Sequence, residues 1–285
     1  MSENLPSQHG GDERVAIARR YTESAEAWLR KLVHAELLER SGYNYITAGK
    51  WSKTLKTFVE TRYHESPGKY TREVDATTFD QLIDMVCNQD HWSKWSDGLR
   101  EAYPEGAEEA RTFLRRLQFI RNDVSHGRLC SGRQLEQAIC YTNDLADSIK
   151  AHFRRKGVSR EFNVPTIVRV YDNLGNSEHL TPGHHFRGSD FSGAGKRALY
   201  PGETLITEVE VDPSFDASGY DVAWWVKTAD TGMHPGTKAT IQIESKHVGE
   251  RMELQFKLTT KLDWHRGNGC DDALDVYYKI LPPPS

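Results

Sequence analysis

Residues 114–132, LRRLQFIRNDVSHGRLCSG, place Arg121, Asn122 and His126 within little more than one helical turn. These residue types suit RNA cleavage without a metal. The reaction needs a base for the ribose 2'-hydroxyl, an acid for the leaving 5'-oxygen and a cation for the charge on the phosphorane. An imidazole titrates near working pH and can exchange both protons. A guanidinium stays charged, and its planar fork matches two phosphate oxygens.

Spacing limits how these groups can cooperate. Residues five apart on an ideal helix diverge by about 140°, so Arg121 and His126 meet only where the helix loosens or where two subunits bring their copies together. Asn122 precedes His126 by four residues and shares its face, where it can orient the imidazole or bind a phosphate. A plainer alternative is that Arg121 pairs with a nearby acid such as Asp123 while His126 and Gly127 end the helix, a place that favours a cation.

The elements that must carry this motif are legible around it. After a polar tail at residues 1–11, Val15, Ala18, Tyr21, Ala25, Trp28, Leu32, Ala35 and Leu38 recur at helical spacing, with Gly42 where a C-terminal cap is expected. Further helices are predicted over AGKWSKTLKTFVETRYH, TTFDQLIDMVCNQ and AEEARTFLRRLQFIRNDVSHG, the last running into the motif. A final helix follows Ser131, a plausible cap. At RRKGVSREFNVP the helical period stops. Beyond it TIVRVYDN, ETLITEVEVD, YDVAWWVKTAD, KATIQIES, ERMELQFKLTTK and LDVYYKIL are short and rich in β-branched and aromatic residues. The fold class expected is α+β in two segregated domains: a helical bundle at 12–157, a linker at 158–163 and an all-β antiparallel, Ig-like sandwich at 164–285.

The segment RNDVSH, at the end of the next-to-last helix of an all-α domain and followed by a capped final helix, resembles the HEPN superfamily. The resemblance covers roughly residues 12–155. It implies a metal-independent endoribonuclease that dimerises to join two Arg and His pairs in one cleft, cutting single-stranded RNA by 2'-hydroxyl attack to give a 2',3'-cyclic phosphate. Arg121 would then bind the scissile phosphate, His126 would transfer protons and Asn122 would be the polar accessory residue. Some HEPN domains are inactive assembly or nucleotide-binding modules, the alternative reading here. The β domain faintly resembles, through YDVAWWVKTADTG, the sensor domains of nucleotide-second-messenger defence proteins. That implies an effector of a prokaryotic antiviral or toxin-type system, controlled by a nucleotide or phage-derived ligand, with an Ig-like module recruiting a protein partner as the competing reading.

Arg187, Lys196, Arg197 and Trp225 are the candidate ligand contacts of that domain. GSDFSGAGKRALYPGE is no P-loop, because its spacing is wrong and Arg197 stands where a hydroxyl is required, although its basic residues could hold a phosphate. His184 and His185 are adjacent and would face opposite ways in a strand, and His126, Cys130 and Cys140 have no recognised ligand spacing, so no metal and no cofactor is expected. Adjacent Trp224 and Trp225 should likewise split, one into the core and one outward as a stacking platform. A formal net charge of −4 gives no global field for nucleic acid, so any RNA contact must be local. Four scattered cysteines, no signal-peptide pattern and no long apolar run lead us to expect a cytoplasmic protein with reduced thiols and no membrane contact.

Overall fold

The computed structural model describes residues 10–66, 70–180, 186–229, 232–267 and 269–283. It divides into two units, Met1–Asn163 and Val164–Ser285, the first built of helices and the second of sheets. The tail expected at 1–11 falls mostly outside the described residues, and helix α1 already starts at Gly11.

In the first unit α1 (Gly11–Ser41) is the central element. Its apolar stripe of Ala18, Ala25, Trp28, Leu29, Leu32, Val33 and Leu37 is buried, and Gly42 closes it with φ 68°, a conformation that favours glycine. Helix α2 (Lys53–Glu65) begins later than its apolar pattern suggests, because the Ser52 hydroxyl accepts from the Leu55 N–H and fixes the start. Helix α3 (Phe79–Val86) opens on a Thr78/Gln81 capping box and buries Phe79, Leu82, Ile83 and Val86, as its pattern predicts. After the single turn α4 (Ser96–Leu99) come the two long helices α5 (Ala107–Ser125) and α6 (Gly132–Lys156), the latter capped by Ser131 and Gln134. Ala18 of α1, Ile120 and Val124 of α5 and Leu135 and Ala138 of α6 form one apolar cluster beneath the 121–126 segment. The segment 158–163, expected as a linker, ends where the two units divide. It carries a helical turn, α7 (Ser159–Phe162), whose Phe162 ring lies 5.2 Å from Phe153 and 6.5 Å from His34.

Polar residues also lock this unit. Glu36 accepts from His152 (2.8 Å) and Lys156 (2.9 Å) and so ties α1 to α6. His34 is 9% exposed, with Nδ1 3.0 Å from the Tyr45 hydroxyl. Burial, reinforced by the nearby Arg72 charge, pulls the His34 pKa down to about 4. The folded chain therefore refuses a proton that the unfolded chain takes near its ordinary value, and stability falls as pH drops from about 6.5 to 4. The loss expected from this residue is roughly 3 kcal/mol at the acid end. Urea titrations at pH 7 and 4.5 check it: His34→Gln should flatten the pH dependence, and an unchanged slope in that variant would refute the assignment.

In the second unit strands β1 (Ile167–Asp172), β2 (Ser177–His179), β3 (Phe186–Asp190), β4 (Thr204–Val211), β5 (Tyr220–Val226), β6 (His234–Pro235), β7 (Lys238–Gln242), β8 (Gly249–Thr260) and β9 (Asp272–Ile280) form two sheets. Their orders are β2-β1-β4-β7 and β3-β9-β8-β5-β6. Inward residues of both sheets, among them Ile167, Val170, Leu205, Val209, Leu254, Phe256 and Val276, share one core. The antiparallel expectation is corrected for β3, which runs parallel to β9, and a single parallel bridge also joins Leu199 to Ile280. A hairpin forbids such pairing, whereas the long connection between these two strands allows it. No helix among the described residues is long and apolar enough to cross a membrane.

Candidate active site

Helix α5 stays helical to Ser125, and His126 takes the cap position. Gly127, at φ 70°, turns the chain out of the helix. Its N–H donates to Val124 O (3.3 Å) and the Arg128 N–H to Asp123 O (3.0 Å), the paired closure of a Schellman motif. Arg19 of α1 adds a bond from Nη2 to Val124 O (2.8 Å). The backbone that presents His126 is thus held from two sides. Asn122 and His126 are both exposed and share one face of the helix end.

Arg121 goes elsewhere. The helix does not loosen between the two residues, so their side chains diverge by about the ideal 140°. Arg121 Nε sits 3.9 Å from Glu26 Oε2, at the outer limit of an ion pair, and its side chain remains 39% exposed. Glu26 is held more closely by Arg30 (2.5 Å), which also donates to Thr77 O (2.8 Å). Asp123, the acid expected to pair with Arg121, is buried and receives Arg128 Nη1 (2.8 Å) and Gln134 Nε2 (3.4 Å) instead. One chain therefore brings Asn122 and His126 together but not Arg121. Glu26 was missed in the sequence because only the fold sets it opposite Arg121. Its signal there is weak: Glu26 lies seven residues from Arg19 and four from Arg30 in a helix that carries many other charges.

The four candidate contacts of the second unit do not converge. Arg187 points inward and forms an ion pair with Asp272, their side chains 11% and 0% exposed, while Nη2 also donates to Ile167 O (2.8 Å). Lys196 lies 5.4 Å from the Phe191 ring, and Arg197 is paired with Glu203. Trp224 and Trp225 do split as expected: Trp224 packs on the core and stacks on His234 at 4.5 Å, while half-buried Trp225 is on the other face. An open cavity of about 580 Å³ is lined by residues that include Asp221, Val222, Met233, His234 and Pro235. None of the four candidates lines it, and neither does any Lys or Arg among the described residues. His184 and His185 lie outside the described residues. Cys130 is buried and Cys140 exposed, and no metal-holding group of three His, Cys, Asp or Glu occurs among the described residues.

Set beside known proteins, the chain matches no family model, no curated protein and no solved structure.

Proposed function

We propose that the helical unit is a HEPN-like, metal-independent endoribonuclease acting on single-stranded RNA as a homodimer or higher oligomer. In this reading His126 moves the protons, Arg121 binds the scissile phosphate and Asn122 assists, each cleft drawing its Arg and its His from different copies. The observation that carries the reading is the exposure of all three side chains on a rigid helix end combined with the 140° divergence of Arg121 from His126. Such an arrangement is of little use within one chain and apt for two. Leu129, 77% exposed just beyond His126, supplies apolar surface for a second copy to cover.

Mixing separately purified Arg121→Ala and His126→Ala proteins tests this. A heterodimer keeps one intact Arg and one intact His on opposite chains, so activity absent from each variant should return in the mixture. Cleavage by wild type with no recovery on mixing would place both groups in one chain and sink the composite cleft.

The β unit is read as an Ig-like sandwich through which a ligand, nucleotide or phage-derived, or a protein partner controls the nuclease in an antiviral or toxin-type setting. Its own core, separate from the helical one, supports a separable task. The second reading, an inactive assembly module, is favoured by the Schellman closure and the Glu26 contact, which account for His126 and Arg121 as helix-end and interhelical residues without chemistry. It predicts no RNA cleavage under any condition.

A further inference from the structure

Helix α5 carries an exposed stripe of which the cleavage chemistry uses only the C-terminal end, Asn122 and His126. Arg116, Phe119, Asn122 and His126, at spacings of three, three and four, follow one another along its outer side. Phe119 is 62% exposed although the helix has a well-filled apolar face on its other side. Arg116 is exposed too, and its commitments differ from those of its neighbours. Arg111 and Arg115 are tied to Asp84 and Asp80, whereas Arg116 has no carboxylate in ion-pair range among the described residues. Its guanidinium lies 5.4 Å from the Phe113 ring and donates to the Tyr141 hydroxyl (3.3 Å) on α6. Tyr141 meets Phe113 edge-on at 4.9 Å and receives Gln137 (3.5 Å).

We infer that this stripe is the track along which a single RNA strand reaches His126, with Phe119 stacking a base and Arg116 holding a backbone phosphate. The inference rests on the ribonuclease reading for its direction and deepens it by naming the substrate contacts. Three features carry it. A cation, a ring, an amide and an imidazole in sequence are the groups a single strand requires, because every base offers a π-face and every step a phosphate. Arg116 and His126 are ten residues apart, about 15 Å along the helix axis, room for more than one nucleotide of a single strand. Local charge is favourable despite the net −4: Arg116 is not matched by a carboxylate as Arg111 and Arg115 are, and Asp123, the acid on this part of the helix, is buried against Arg128. A second copy of the chain fits this face less well, because Phe119 is a lone ring among polar groups rather than part of an apolar patch.

The test separates binding from cutting. Fluorescence anisotropy with a labelled 2'-O-methyl RNA 12-mer, which lacks the nucleophilic hydroxyl, reads affinity alone. Phe119→Ala and Arg116→Gln should each weaken binding about tenfold or more, and Phe119→Trp should retain it. Arg116→Gln should also reduce the salt dependence by about one released counterion. Both substitutions are on the surface, so the thermal midpoint should hold. Unchanged affinity in both variants, or no binding by wild type, overturns the track. Loss of self-association on Phe119→Ala in sedimentation also overturns it, because the ring would then be covered by protein. Binding through the stripe without any cleavage of unmodified RNA leaves the track standing and removes the nuclease. Cleavage with KM unaltered in both variants does the reverse.

Discussion

His126→Ala is expected to lower cleavage of a labelled single-stranded RNA in EDTA by about 10²- to 10⁴-fold, the usual contribution of a positioned proton-transfer group. The same change should hardly alter folding. His126 is exposed at the end of α5, its backbone bonds survive the substitution, and the side chain can contribute only as a cation beside the helix C-terminus, about 0.3–1 kcal/mol. Separation of the two effects is the diagnostic feature: a large loss of rate beside a near-native unfolding curve assigns chemistry to the side chain. Full activity in His126→Ala would refute the role proposed for it. A silent wild type, tested with cyclic nucleotides present and absent, would move the weight to the assembly module.

Arg187→Met should destabilise the β unit by about 3–5 kcal/mol, the cost of stranding a buried charge. Asp272 is fully buried, and its carboxylate also accepts from the Ile167 N–H (2.7 Å) and the Ala273 N–H (3.1 Å). Burial raises its pKa while the Arg187 charge opposes that shift, so removing the cation leaves the carboxyl either ionised without a counter-charge or protonated at neutral pH. The melting point should fall by about 10–20 °C. Arg187→Met combined with Asp272→Asn should recover part of it, since neither charge remains and the amide oxygen still accepts from one of the two backbone donors. A loss below about 1 kcal/mol in the single variant, or simple additivity in the double, would show that the pair is not coupled. Because the penalty arises without any ligand, it also distinguishes a structural arginine from the ligand contact that the sequence suggested.

The division into helices and strands was legible because periodicity changes sharply near Pro165 and each long element carries its own pattern. Strands β2, β3 and β6 were not. β3 reads FRGSD, with Ser189 its sole buried residue, so it offers no alternation of apolar side chains. At the motif, the helical period alone gave the divergence of Arg121 from His126 and the shared face of Asn122. What it could not give were partners brought in by folding: Glu26 comes from a helix far away in sequence, and Asp123 is drawn inward toward Gln134 on α6. Arg187 looked like a surface cation because nothing local marks the buried carboxylate that faces it.

The place of β9 has a consequence for synthesis. It follows the other described strands along the chain, yet in its sheet it lies between β3 and β8, so β3 lacks its sheet neighbour and β8 has only β5 until Ile280 has emerged. The helical unit ends at Asn163. At about 5–20 residues per second, this gives the helices a lead of roughly 6–25 s. In every newly made copy the RNDVSH helix end stands folded during that interval while its companion sheet is still open, so any restraint the β unit exerts begins only after that delay.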